Sequence, residues 1–318
     1  MMIEQSNKIP LLVVVGPTAS GKTGLAIELA RSLNGEVVSA DSMQIYKRME
    51  IGTAKPTADE MGDISHHLID FVEPDDAAFS VADYARLART AIAEISARSK
   101  LPILSGGTGL YVNAVIDNID YTDIASDEKV RQQLNALAQE KGNEHMLALL
   151  AEADPALAAT LHPNNLGRIL RALEVYRLTG ITMSEHQRRS RLVPAQYDLC
   201  MLGLNFSDRA HLYERINRRV DLMIKAGLLD EAQEISKSYG GTARQAIGYK
   251  ELQPYLDGEL PLEVCIDNLK QATRHYAKRQ LTWFRRDERI HWILADTFEN
   301  AKDLVLAAQN IVHNSGIL

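Results

Sequence analysis

Leu11–Val15 is an unbroken apolar run of the kind buried on both faces of a parallel sheet. A glycine-framed loop follows, and then apolar residues at helical spacing from Thr23 to Leu33. The alternation of short apolar runs with helical stretches continues to about Tyr111. "EVVSADS" predicts a strand and loop, "HHLIDFV" another short strand, Ser80 the cap of a long helix through Lys100, and "LPILSGG" a strand entering a glycine turn. From about Asn113 to Tyr197 the spacing is helical almost throughout. In "HPNNLGRILRALEVYRLTG", Asn164 or Asn165 can cap a helix and Gly180 can end it. The strand pattern returns at "DLCMLGLNF". A helix from about Asp208 to Lys237 comes next, with Leu212, Ile216 and Val220 on one face and Arg215 and Arg219 on another. A second long helix from Leu262 to about Arg286, the strand "IHWIL" and a closing helix complete the chain.

This order predicts an α/β fold: a P-loop NTPase-like parallel-sheet core formed by residues 1–112 plus 199–318, interrupted by an all-helical insertion at 113–198. No internal repeat or low-complexity segment is visible.

Composition changes this picture little. With 318 residues, 46% of them hydrophobic and 24% charged, the chain reads as an ordinary globular protein and not as a disordered or fibrous one. No signal peptide or membrane span is expected. Cys200 and Cys265 stand alone, which points to a cytoplasmic protein without a disulfide framework or structural zinc. The net charge, 35 − 42 = −7, argues against a nucleic-acid partner taken alone. Its distribution argues otherwise. Basic residues gather at Arg168, Arg171, Arg177, Arg188, Arg189 and Arg191, and again at Lys270, Arg274, Lys278, Arg279, Arg285, Arg286 and Arg289, although a solvated helix face is the ordinary explanation of such runs.

The chemistry begins at Gly16-Pro17-Thr18-Ala19-Ser20-Gly21-Lys22-Thr23, which fits G-x-x-x-x-G-K-[ST] between a strand and a helix. Loop N–H groups and a helix N-terminus suit phosphate oxygens, Lys22 adds charge, and the Thr23 hydroxyl can bind Mg²⁺. Ligands of open parallel sheets lie beyond the carboxyl ends of the strands. Asp41 and the "GGTG" turn, Gly106–Gly109, are therefore candidates, with Asp41 either capping its own turn or serving as a base or metal contact. A small-molecule kinase would carry an Asp at the end of an apolar strand. "LPILSGG" ends in Ser and Gly, and Asp70 is the substitute such an enzyme would have to use.

Six blocks, "GPTASGKT", "SADSMQIYKRMEIGTAKPT", "GGTGLY", "HPNNLGRILRALEVYRLTG", "IGYKEL" and "TRHYAKRQLTWFRRD", together closely resemble the bacterial tRNA dimethylallyltransferase family, in order and over nearly the whole chain. The resemblance implies transfer of a dimethylallyl group from its diphosphate to N6 of the adenosine immediately 3′ of the anticodon. The partners would be dimethylallyl diphosphate and a tRNA anticodon stem-loop, with Mg²⁺ as cofactor, no membrane partner and a monomeric enzyme. It implies that Asp41 is the general base, that Lys22, Arg219 and Thr108 also act in catalysis, and that the P-loop holds the diphosphate. Implied tRNA contacts are Asp41, Ser42, Met43, Gln44, Thr108, Arg131, Gly167, Arg168, Arg171, Gln245, Gly248, Lys250, Thr273, Arg274, Lys278, Arg279 and Gln280, with the insertion contributing its share.

Three positions depart from the family pattern: Arg48 where glycine is common, Glu50 where Asp is usual, and His275 where a basic residue is usual. If that glycine serves a left-handed turn, the loop after Gln44 should have a different shape here. The competing readings are an adenylate isopentenyltransferase acting on free nucleotide, a small-molecule P-loop kinase, and a non-catalytic RNA-binding protein on a nucleotide fold.

Overall fold

The computed structural model describes residues 8–75, 79–117, 127–190, 192 and 194–318. They divide into two compact units, one from the described residues up to Val112 together with Gln196–Leu318, the other Asn113–Ala195.

The first unit is built on six strands: β1 (Ile9–Val15), β2 (Gly35–Ser39), β3 (His66–His67), β4 (Leu101–Gly106), β5 (Tyr197–Asn205) and β6 (Ile290–Leu294). All pairings are parallel, in the order β3-β2-β4-β1-β5-β6. The helices of the chain, in sequence order, are α1 (Lys22–Ser32), α2 (Ala58–Met61), α3 (Val81–Ala97), α4 (Gly109–Ile116), α5 (Glu128–Lys141), α6 (Asn143–Ala153), α7 (Pro155–Ala158), α8 (Leu166–Thr179), α9 (Met183–Ser190), α10 (Arg209–Lys225), α11 (Leu228–Ser238), α12 (Gly241–Gln245), α13 (Gln253–Leu256), α14 (Leu262–Phe284) and α15 (Ala301–Ser315).

Leu11–Val15 are fully buried, as a central strand covered on both faces requires. One face of the sheet packs Leu12, Val14, Ile103 and Leu202 against Leu25 and Leu29 of α1 and Val312 of α15. A second core lies beside the sheet, where Ile45, Tyr46 and Met49 meet Val220, Leu228, Ile235, Tyr249, Leu252 and Leu269. The stripe Leu212–Ile216 of α10 packs with Ala277 and Leu281 of α14 and with Ala19. The helical unit has its own core of Leu134, Met146, Leu150, Ile169 and Leu173.

The local signals hold at α3, where Ser80 and Asp83 form a capping box, and at α8, which Gly180 ends in a left-handed conformation. Two expectations need correction. The strand read from "HHLIDFV" is only His66–His67, because Leu68 and Asp70 both adopt φ 59° and turn the chain away. The helix read as continuous from Asp208 to Lys237 is two: Gly227, at φ 101°, separates α10 from α11. The apolar periodicity carries across the break, so spacing alone conceals it.

The edge of the sheet carries a charge cluster. Glu36 on β2 is buried, and its carboxylate accepts from Arg98 at 2.7 Å, lies 2.7 Å from His67 Nε2 and pairs with Lys100 at 3.0 Å. Burial opposes ionisation, but the bonds from His67, Lys100 and Arg98 outweigh it and hold the Glu36 pKa at about 2. A carboxylate depressed in this way stabilises the fold above its unfolded pKa, and the contribution is lost as pH falls from about 4.5 towards 2. Glu36→Gln should therefore cost about 1–3 kcal/mol at pH 6 and far less near pH 2, as read from urea midpoints, since bonds to a charged group are what is removed.

Candidate active site

Four loops converge at the carboxyl ends of the strands: the P-loop after β1, Ala40–Gln44 after β2, the GGTG turn after β4 and Phe206–Ser207 after β5. The turn after β4 has to be glycine because a Cβ on Gly106 would lie 2.1 Å from the carbonyl oxygen of Ala40. That close approach lets the Thr108 amide donate to Ala40 O at 3.0 Å and brings Thr108 beside Ser42. Thr108 Oγ1 accepts from the Ser42 amide at 3.0 Å and donates to Ser42 Oγ at 3.2 Å.

Asp41 stands at the end of β2. Its Oδ1 accepts from the amides of Met43 at 2.9 Å and Gln44 at 3.4 Å, so the turn-capping role is real. The side chain also lines a cavity of about 350 Å³, and Oδ2 has no partner among the described residues. The two readings of Asp41 are thus compatible, one for each oxygen.

The same cavity is lined by Thr18, Lys22 and Thr23 of the P-loop segment and by Arg219 of α10. Desolvation pulls the Lys22 ammonium down to about 8; Asp41 pulls it back up, while Arg219 adds to the lowering. Burial, then Arg215, lower Arg219 in turn. Arg219 donates to Thr18 Oγ1 at 3.4 Å, and Arg215 donates to Ala19 O at 2.9 Å with its guanidinium 5.5 Å from the centre of the Phe206 ring. Lys22 and Arg219, both partly buried, give the site a positive potential, and Asp41 is the only carboxylate among the lining residues. The cavity also has an apolar lining: Val220, Met223, Leu228, Ala246, Ile247 and Leu269.

Ser42, Met43, Gln44, Gln245, Gly248, Lys250, Thr273, Arg279 and Gln280 also line this cavity. Gln280 is buried and uses both ends of its amide. Oε1 accepts from the Thr18 amide at 2.8 Å and Nε2 donates to Gly107 O at 2.9 Å, stitching the P-loop to the glycine turn. Of the remaining P-loop residues, Gly16, Pro17, Ala19, Ser20 and Gly21 form the loop without lining the cavity, and the buried Ser20 hydroxyl has no hydrogen-bond partner among the described residues.

Other expected contacts lie elsewhere. Arg274 donates to Asn217 on α10 at 2.6 Å. Lys278 lines a separate groove of about 230 Å³ with Arg209, Tyr213, Thr282 and Arg285, on a different face of α14 from Thr273, Tyr276 and Gln280. In the helical unit Arg168 is exposed, while Arg131 and Arg171 lie 3.3 and 2.9 Å from the buried Glu174 carboxylate, with Gly167 lining the same hollow. Arg188 and Arg189 are both tied to Glu185. Arg191 falls outside the described residues. Asp70, the substitute carboxylate of the kinase reading, pairs with Lys55 at 2.7 Å and does not line the cavity.

Sequence reading missed Tyr276, whose ring lies under the Arg279 guanidinium at 5.6 Å and whose hydroxyl is pushed above its usual pKa first by burial and then by Asp41. It also missed the apolar wall, because residues such as Val220 on a helix stripe read equally as core. Arg48 adopts the left-handed conformation at φ 64° without being glycine, and its guanidinium lies 5.8 Å from the centre of the Tyr239 ring. Such a conformation costs a non-glycine residue roughly 1–2 kcal/mol.

A sequence model of the family described as IPP transferase matches residues 44–287, more than half of the chain. The chain belongs to the IPP transferase family. The match starts just after Asp41, so the P-loop and this carboxylate rest on their own geometry. Among similar IPP transferases, the tRNA dimethylallyltransferase of Acetivibrio thermocellus is 48% identical over 298 residues, covering 93% of this chain and 95% of that one. The crystal structure of the full-length tRNA isopentenylpyrophosphate transferase from Bacillus halodurans is 45% identical with a TM-score of 0.72, covering 97% of each chain. A eukaryotic dimethylallyltransferase solved acting on tRNA is 29% identical with a TM-score of 0.78, covering 95% of this chain and 79% of that one. No helix among the described residues is long and apolar enough to cross a membrane.

Proposed function

We propose that this IPP transferase moves a dimethylallyl group from dimethylallyl diphosphate to N6 of the adenosine immediately 3′ of a tRNA anticodon, releasing diphosphate. The observation that carries the reading is one cavity lined together by Lys22, Arg219, a single carboxylate, Asp41, and a set of apolar side chains. A phosphoryl-transfer enzyme needs no greasy wall beside its P-loop; a five-carbon allylic chain does. The named activities of the relatives support the same reaction, and a tRNA substrate puts it in the cytoplasm, where the chain acts as a monomer.

Departure of diphosphate leaves a cation-like allylic carbon and concentrates negative charge on the leaving oxygens. Loop amides, Lys22 and Arg219 supply the opposite charge where it develops. The lone pair of N6 is delocalised into the ring, so removal of its proton by Asp41 Oδ2 assists attack, while Oδ1 remains held by the turn. Thr108 fixes the Ser42 amide beside that carboxylate. The adenine reaches the cavity by leaving its stack.

Mg²⁺ fits the donor set, because the cavity offers hard oxygens, foremost the Thr23 hydroxyl. A cation held by one hydroxyl and substrate phosphates needs no protein cage. When bound it would neutralise the diphosphate. Thr23→Ala should therefore raise the Mg²⁺ concentration for half-maximal rate, measured by titration at fixed donor; an unchanged requirement would remove Thr23 from this role.

The remaining tRNA contacts proposed are Ser42, Met43, Gln44, Gln245, Gly248, Lys250, Thr273 and Arg279 around the cavity, Lys278 and Arg274 on α14, and Arg131, Gly167, Arg168 and Arg171 in the helical unit. Replacing Arg274 and Lys278, neither of which lines the cavity, should flatten the dependence of log affinity on log salt by about one to two units and leave donor binding alone, because each phosphate contact releases roughly one counterion. The acceptor is tested by offering unmodified tRNA and free AMP in parallel with the same donor. Transfer to tRNA alone is expected, and transfer to AMP alone would assign the free-nucleotide activity instead.

A further inference from the structure

We infer that Glu231, outside the cavity on α11, is a positioning residue for the acceptor side of this reaction, acting through a relay of hydrogen bonds that ends on Asp41; the inference rests on the reaction proposed above. Glu231 Oε2 accepts from the amides of Glu50 at 2.9 Å and Ile51 at 2.8 Å. Oε1 accepts from the Gly52 amide at 2.8 Å and from the Tyr249 hydroxyl at 2.8 Å. Three successive backbone N–H groups directed at one carboxylate form the kind of concavity that usually binds a free anion. Here the chain fills it with its own side chain.

The fit is close. A Cβ on Gly52 would lie 2.7 Å from the Tyr249 Cζ and hydroxyl oxygen, so glycine is required for Tyr249 to reach Glu231. Tyr249 is buried, and Leu228 at the start of α11 packs in the same core as Ile45 and Met49.

The consequence runs along the loop. With residues 50–52 fixed, the carbonyls of Thr53 and Ala54 stand where Gln44 Nε2 donates to them, at 3.2 and 3.0 Å. Gln44 is thereby locked at its side chain, and its amide and that of Met43 are the donors to Asp41 Oδ1. Gly52, Thr53, Ala54, Gln44 and Asp41 all line the cavity, whereas Glu231 does not. Lys22 and Thr23 belong to α1, which this relay does not touch. Loss of Glu231 should consequently impair use of the acceptor and leave the diphosphate end of the donor site intact.

Glu231→Gln keeps the volume but turns an amide donor towards groups that are donors themselves. Expected is a 10- to 100-fold fall in kcat with a higher KM for tRNA, while KM for dimethylallyl diphosphate stays within about twofold. A double-mutant cycle with Gln44→Ala separates this from general destabilisation. If Glu231 acts through Gln44, the second substitution adds little to the first; independent effects that multiply would overturn the inference. Hydrogen exchange of the intact protein gives a readout that does not depend on catalysis. Protection should fall at Met43 and Gln44 as well as at Glu50–Gly52, and a change confined to Glu50–Gly52 would overturn the relay even if the proposed reaction holds. Tyr249→Phe, which removes one of the four bonds, should show the same pattern more weakly and decides the matter should Glu231→Gln not fold.

Discussion

Asp41→Asn is expected to lower turnover by roughly 10²–10⁴-fold, the span for loss of a general base, with binding of dimethylallyl diphosphate nearly unchanged. The choice of Asn follows from the two uses of the side chain. The amide oxygen of Asn still accepts from Met43 and Gln44, so the turn survives, but the atom that replaces Oδ2 donates a proton and cannot take one. Asp41→Ala removes both functions and should lose stability as well as rate. Isothermal titration with the donor and single-turnover transfer to tRNA separate the two effects. A fall in donor affinity equal to the fall in rate would move Asp41 from the acceptor to the metal.

Lys22→Ala should cost about 10²–10³-fold in donor use, as expected for removing one preorganised charge from a site of developing negative charge. The altered pKa adds a pH signature. In the free protein Lys22 loses its proton near pH 8. Diphosphate favours the ammonium form, so binding raises that pKa, and above pH 8 the donor binds only with uptake of a proton. Affinity should be constant below about pH 7 and should fall by up to tenfold per pH unit above 8. Lys22→Met should bind weakly and without this slope. A wild-type affinity that is flat from pH 7 to 9.5 would mean that burial and the Arg219 charge do not perturb Lys22.

Much of the site could be read from the chain because it is local. The apolar run of β1, the P-loop and α1 are contiguous, and Asp41 follows β2 by two residues. The capping box of α3 and the glycine end of α8 are equally short-range signals. What escaped depends on contacts between distant segments. Gln280 meets Thr18 across 262 positions and Glu231 meets the amide of Gly52 across 179, and no spacing rule reaches that far. The family resemblance singled out Gln280 but gave no sign of its place between two loops. The split between α10 and α11 was hidden for another reason: Gly227 interrupts the backbone without interrupting the apolar stripe. Arg48 shows the converse, a left-handed turn at a residue that is not glycine.

Whether the P-loop holds a leaving group or a phosphoryl donor is decided by following the label. Dimethylallyl diphosphate carrying one label in the allyl carbons and another in its phosphates, incubated with the protein, Mg²⁺ and unmodified tRNA, should give tRNA containing the carbon label only, with the phosphate label released as diphosphate. Digestion should then place the carbon label on the adenosine immediately 3′ of the anticodon. Phosphate label in the acceptor, or transfer from γ-labelled ATP under the same conditions, would contradict the account and return the protein to the kinases.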